Sequence, residues 1–547
     1  MSTRALHRAA PDGSQPFPGH AMPQPIQRVR LEEIDWASAL PVLRLFRSFR
    51  MALHAPKLMV ALLLVLLLYL GGWALDEVAG ARGRVYPGEL EQYSSLSPAQ
   101  FDEWLTSRQY WLKERLTGEL RDIVPDVHAI PLKSLPKAVL PQINAYFAQR
   151  YDALVRQKLP PAQFRRSLDD LRRERLSKIQ ALRALEPKGV FATGLAAELD
   201  GFQRMIRAAT SLNLGLTALA GIAPMGRSSV IGAVRDMLVT IPVWLAWRHT
   251  WFLLIYGIYG LGLWALFGGA LARMSALDAA GQGQGGLTGR AFAFAGRRWV
   301  WLLLAPLLPV ILVGLIALVL ILGGALLFNW PGLDVLGGLG FGLALLLGLM
   351  IALLVIGLAG GFGLLYPALA VEGADAIDAV SRAFNYLYRQ PFRWSFYTIL
   401  TLVYGAVCQL FLTVVVFLTL AATHFFVGLL VLRDTVPGLN RFEAIMPAPV
   451  LGALSYDMDS SVLSPLAKMA GVLVGIWVHL CIGLLAAFAI AFYFSAHTWI
   501  YLFLRHGSDG TALEEITGDG PAGGRELPPE PAPAPANDTG DTGANGT

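Results

Sequence analysis

Long uninterrupted apolar stretches, separated by short polar links, set the character of this chain. Six of them, 58–75, 251–272, 299–328, 338–369, 396–432 and 466–504, match or exceed the ~18–20 residues that an α-helix needs to cross about 30 Å of hydrocarbon. Lipid offers no hydrogen bonds to a bare backbone, so helices are the way to satisfy such segments. The pattern predicts an all-α polytopic membrane protein with about six transmembrane helices and a helical extramembrane domain inserted after the first. The first run follows a long arm and exceeds the ~7–15 residues of a signal-peptide core, so it reads as an uncleaved anchor.

The inserted segment, 76–248, shows a different period. Ser97-Pro98-Ala99-Gln100 offers an N-cap, a proline in the first turn and a capping-box glutamine. Phe101, Trp104, Leu105, Trp111, Leu112, Leu116, Leu120 and Ile123 then recur largely at spacings of three and four, one face of a helix. Ile143, Tyr146, Phe147, Tyr151, Leu154 and Val155 repeat the pattern, and a third run follows Pro160-Pro161 from Phe164 to Leu185. Its other side is charged, as a solvated face is. A short helical bundle or coiled-coil pair is expected here, offering a surface to a protein partner and none to nucleic acid. Residues 212–224 are apolar but too short to span. The flanking pieces, a Pro-rich basic arm at 1–30 and an acidic tail at 507–547, lack periodicity and are expected to be disordered. The interval 31–75 holds an interfacial helix and the first span, and 249–506 a five-helix transmembrane domain with two internal repeats.

Charge then fixes an orientation. Only 15% of residues are charged, against about 25% in soluble domains, and 55% are hydrophobic. Lys and Arg crowd the arm before residue 58, the link 273–298, the link 382–393 and Arg505, whereas the links 329–335 and 433–465 are poor in them. Basic links favour the cytoplasm. Six crossings place both termini there and the 76–248 domain on the far side. The two cysteines, Cys408 and Cys481, lie inside apolar runs and provide no disulfide framework or metal spacing.

A short motif recurs before the first, third and fifth runs. Arg47-Ser48-Phe49, Arg290-Ala291-Phe292 and Arg382-Ala383-Phe384 are each followed five residues after the Phe by a second cationic or imidazole residue, His54, Arg297 and Arg389. Around the first copy, Val42, Leu45, Phe46, Phe49 and Leu53 share one arc of a helix, with Arg44, Arg47 and Arg50 opposite. This is the pattern of an interfacial amphipathic helix, basic side toward lipid headgroups. Pro56 and Pro391 then turn the chain into the membrane. The economical reading is a triplicated parallel unit of lead-in helix, span, link and span, the first copy carrying the 76–248 insertion. Arg44, Arg47, Arg50, Arg290, Arg297, Arg382 and Arg389 are therefore the candidate lipid-interface residues, with membrane lipids as partners.

At the third copy, Pro367-Ala368-Leu369-Ala370-Val371-Glu372-Gly373, then Ala379, Arg382-Ala383-Phe384 and Pro391, resembles uncharacterised bacterial multi-pass membrane families. One is the membrane domain that accompanies some glycerophosphodiester phosphodiesterases. The resemblance covers roughly 365–395 and implies a helical membrane domain in a bacterial inner membrane. It carries no catalysis, because the phosphodiesterase barrel and its metal-binding carboxylates have no counterpart here.

Candidate chemistry is sparse. Gln409 and His479 sit deep in the fifth and sixth runs, where polar groups mark either a path or an inter-helix hydrogen bond. The Gly-rich 281–286 link lacks the strand and Lys-Ser/Thr of a phosphate loop. Glu372, Asp375 and Asp378 sit at a helix start beside Arg382, as dipole and ion-pair partners. No catalytic, cofactor-binding or metal-binding residue is indicated. The expectation is a non-enzymatic scaffold or envelope component acting through lipid or protein contacts. The alternative is a transporter or export component with a polar path between the fifth and sixth helices.

Overall fold

The computed structural model describes residues 41–516 apart from 94–95, 125–134, 185, 212, 214, 216–228, 283–285, 432–433, 437–438, 452–455, 457, 459–462 and 514. The expected disorder of 1–30 and of the tail beyond 516 lies outside the described residues, as does most of 212–224. The described start of that tail is helical, since the last helix continues to Asp509.

Each lead-in motif forms its own helix. A 3-10 turn, Pro41–Phe46, opens into α1 (Arg47–Ala52), which breaks at Leu53-His54 before the first span, α2 (Ala55–Ala79). An inserted unit follows: β1 (Arg84–Val85), α3 (Glu89–Tyr93), α4 (Pro98–Leu120), α5 (Leu135–Arg156), α6 (Pro161–Ala184), β2 (Lys188–Gly189), α7 (Val190–Thr210) and α8 (Val230–Arg248). The chain then re-enters the membrane domain through α9 (Thr250–Ala279), α10 (Leu287–Arg297), α11 (Trp299–Phe328), α12 (Leu333–Glu372), α13 (Ala376–Arg389) and α14 (Pro391–Gly428). A strand pair, β3 (Asp434–Val436) and β4 (Leu439–Asn440), and the short α15 (Arg441–Ile445) lead to α16 (Pro465–Asp509). The described residues thus form an all-α, multi-pass membrane protein with two minor strand pairs.

The three units close a ring. The return spans α9, α12 and α16 pack against one another in all three pairings. Between α9 and α12, Arg273 donates to the Ala370 carbonyl at 2.6 Å; between α9 and α16, the Ser275 and Ser495 hydroxyls lie 3.3 Å apart. Helices α12 and α16 approach so closely that a Cβ on Gly363 would collide with the His497 ring. Each lead-in helix then packs on the return span of the preceding unit, α10 on α9 and α13 on α12, while α1 completes the circuit on α16. The motif residues make these contacts. Ser48, Ala291 and Ala383 have no exposed surface, Phe49 meets Phe488 edge-on, Phe292 meets Phe267 edge-on, and Phe384 lies on Gly357 and Gly361. The apolar arc of each lead-in helix is thus largely taken up by protein.

Within every unit a polar residue at the mouth of the first span also clasps the end of the return span. Lys57 pairs with Asp278 at 2.9 Å, Arg298 donates to the Ala374 carbonyl at 3.0 Å, and Gln390 donates to the Leu504 carbonyl at 3.1 Å.

The inserted unit is a bundle with its own core, in which Leu112, Leu116 and Leu120 of α4 meet Val139, Ile143 and Phe147 of α5 and Ile179 and Leu182 of α6. The capping box at its start is present, with the Ser97 amide donating to Gln100 Oε1 at 3.2 Å. Its foot is tied to the span. Asp76, at the end of α2, accepts from the Phe191 and Ala192 amides at 2.9 and 3.0 Å, and β1 pairs antiparallel with β2. Side-chain hydroxyls of Tyr256 and Tyr259 on α9 reach the Leu68 and Leu67 carbonyls of α2, so these two helices run side by side in opposite directions.

Among the described residues, seven helices are long and apolar enough to cross a membrane, one more than the apolar runs suggest. The addition is α8, inside the segment assigned to the extramembrane domain. Arg235 and Asp236 interrupt its hydropathy, yet the helix continues through them because Asp236 is buried against Arg204 at 3.1 Å.

Burial is lopsided along the spans. Apart from Gly337, which meets Phe328 of α11, helix α12 buries residues only from Gly357 to Val371, near the lead-in end; α11 buries none beyond Ile316. At about 1.5 Å per residue the 40 residues of α12 run about 60 Å, twice the ~30 Å hydrocarbon core, so the long hairpins must tilt or project. The second hairpin, α11–α12, is therefore packed at its lead-in half and bare beyond it.

Two outcomes follow from this packing. Enlarging Ser48, Ala291 or Ala383 to Leu should each cost about 1–3 kcal/mol of stability by overpacking, while the exposed Asn385→Leu should not; thermal unfolding in detergent reads both. Asp278→Asn strands the fully buried Lys57 ammonium and should cost about 3–5 kcal/mol. Lys57→Met leaves a partly exposed carboxylate and should cost less. Equal losses would contradict the clasp.

Candidate functional site

The basic residues of the lead-in helices converge on one end of the ring. Arg47, Arg50, Arg290, Arg297, Arg382 and Arg389 are exposed there, and Arg44 is half-buried. Arg382 bridges to Glu372 at 2.5 Å, and Arg389 donates to Ser508 Oγ at 3.3 Å. Glu372 further accepts from the Tyr501 hydroxyl, and Tyr386 donates to Asp509 at 2.5 Å, so α12, α13 and α16 share one acidic–phenolic cluster. Asp375 caps the start of α13, its Oδ1 accepting from the Asp378 amide at 2.9 Å.

Gln409 and His479 do not meet. Gln409 Nε2 donates to the Leu485 carbonyl across the α14–α16 contact at 3.3 Å, while its Oε1 is buried with no partner among the described residues. His479 Nδ1 bonds the Gly475 carbonyl of its own helix at 2.7 Å, and its ring stands edge-on to Tyr456. Cys408 and Cys481 are both free thiols.

A second cluster, which the sequence did not suggest, forms at the foot of the inserted unit. Glu89 of α3 is buried; its Oε2 accepts from the Tyr86 amide at 3.1 Å and its Oε1 from Trp244 Nε1 at 3.3 Å. His249, the single residue between α8 and α9, lies against the Trp244 ring. Its Nε2 stands 4.0 Å from Glu89 Oε1 and is buried without a hydrogen bond. Beside this group a cavity of about 420 Å³ is lined by Glu89, Glu91, Glu186, Lys188, Asp200 and Arg204 among others. About 160 positions separate Glu89 from His249, so no local pattern could have joined them.

Burial pushes the Glu89 carboxyl up, against hydrogen bonds from Tyr86 and Trp244 and the Arg248 charge. Burial, reinforced by Arg248, pulls His249 down to about 4. Folded His249 therefore stays neutral between about 4 and the 6.5 of a free imidazole, where the unfolded chain takes up a proton. Its contribution to stability is full above that window and lost as pH falls through it. Glu89 acts in the opposite sense, its contribution being present at low pH and lost as pH rises through its elevated value. Among the described residues no group of three or more metal-ligating side chains converges.

The expected consequence is an acid-sensitive foot. Between pH 6.5 and 4 the melting temperature of wild type should fall more steeply than that of His249→Gln, and parallel profiles would contradict the assignment.

Comparison with protein-family models, curated proteins and solved structures finds no match to this chain.

Proposed function

We infer that this chain is a non-enzymatic envelope component of a bacterial inner membrane that works through lipid contact, with both termini and the lead-in helices on the cytoplasmic side. The observation that carries the reading is the unburied apolar surface of the hairpins away from the lead-in end. Leu343, Leu345 and Leu346 of α12 point in three directions round the helix and are 65, 64 and 64% exposed. A helix packed inside a protein bundle keeps only one such face free; this one offers its whole circumference, apart from the α11 side, to acyl chains. On the opposite side of the bilayer, the exposed arginines Arg47, Arg50, Arg290 and Arg297 are placed to meet anionic headgroups. The bundle of α4, α5 and α6 remains available to a protein partner. A polar export path gains no support from Gln409 and His479, which spend their bonds on backbone carbonyls.

Lipids bearing a diazirine on the acyl chain test the reading. Photolysis in bilayers should label peptides covering 338–356 heavily and those covering 364–371 little. Labelling absent from 338–356, or confined to one face, would mean that protein or water covers this surface.

A further inference from the structure

We propose that α8 is not a seventh span but an outer-leaflet counterpart of the lead-in helices, lying along the bilayer with its apolar side in the acyl–headgroup boundary. The inference rests on the membrane reading above. The first argument is the backbone. Helix α8 passes into α9 through one residue, His249, at φ −133°, ψ 42°. The lead-in helix α13 passes into α14 through Gln390 at φ −133°, ψ 53°, and α10 into α11 through Arg298 at φ −114°, ψ 15°. The same single-residue break thus precedes three spans, and in two of them it turns a short amphipathic helix into a transmembrane one.

The second argument is how the two sides of α8 are used. One side is fixed to the inserted unit: Asp236 binds Arg204 of α7 and the Thr240 hydroxyl, Trp244 binds Glu89, and Arg248 binds Asp102 of α4 at 2.8 Å. The other side carries Leu238, Val239, Val243 and Trp247, which are 72, 52, 39 and 78% exposed. Leu199 and Phe202 extend exposed apolar surface onto α7. A seventh crossing would leave Asp236 and its arginine partners in hydrocarbon, and such groups rarely sit there without function.

The third argument names the occupant. The apolar side of α8 runs on to exposed aromatics at the adjoining helix ends: Trp247, then Trp251 at the start of α9, with Trp73 in the last two turns of α2. Tryptophan and tyrosine favour the headgroup level, where an apolar ring and a polar N–H or O–H are both satisfied. An apolar face that runs on from such aromatics, on a helix whose polar face is already bound, fits the lipid boundary.

Depth measurement decides the matter. Full-length protein carrying Cys408→Ala and Cys481→Ala is given one cysteine at Leu238, Val243 or Trp247, labelled with a bimane fluorophore and placed in phosphatidylcholine–phosphatidylglycerol vesicles. Lipids with a nitroxide at acyl carbon 5 or 12 then quench by depth. The expected result is stronger quenching from carbon 5 at all three positions. Stronger quenching from carbon 12 at Leu238 and Val243 would make α8 a span, and no quenching would place the face in water or under protein; either overturns the proposal. Leu345→Cys is the control, because its quenching supports the membrane reading whatever α8 does, and its failure to quench would sink that reading instead.

Discussion

Everything in the membrane domain depends on three return spans being able to touch. Helices α9, α12 and α16 meet pairwise because small positions line their lead-in halves: Gly268 against Phe494, Gly363 against His497, with Ala368, Ala491 and Ala496 buried in the same core. In lipid there is no hydrophobic gain from bringing helices together, so close backbone approach and dispersion supply the association. Arg273 and the Ser275–Ser495 contact add polar links at the centre, and the lead-in helices cover the outside. Since each lead-in helix docks on the preceding unit's return span, every unit is held by its neighbour, and α1 closes the ring against a helix more than 400 positions away.

That inner closure sets the outer geometry. Hairpins anchored at one end and longer than the bilayer is thick must tilt or project, and α11 and α12 stay unburied along their far halves. Hairpin α2–α9 is the exception at its far end, where Asp76, the β1–β2 pair and the Glu89–Trp244 contact build a rigid foot for the inserted bundle. The molecule therefore combines one braced hairpin with two that leave much apolar surface exposed.

Much of this was legible in the amino-acid order and some was not, for physical reasons. The lead-in motif could be read because it is local: a basic residue, a small one and an aromatic, spaced on one helix. The helix faces of 101–123 and 143–155 and the Ser97 cap could be read for the same reason. The docking of α1 on α16 could not, since periodicity says which face is buried and not against what. Lys57 passed as a topology charge although it is fully buried on Asp278. Helix α8 was hidden by Arg235 and Asp236, which look like an interruption until Arg204 is seen beside them. The Glu89–His249 pair needs the whole inserted unit folded before its two halves approach.

The most direct test of the account is a pair of electron–electron distance measurements in bilayers. Nitroxides at Arg297 and Arg389, on neighbouring lead-in helices, should give one narrow distribution. Nitroxides at Trp330 and Leu430, at the far ends of the second and third hairpins, should give a longer and broader one. A far-end distribution as short and narrow as that of the lead-in pair would mean a bundle closed along its whole length, and the lipid-facing opening would not exist.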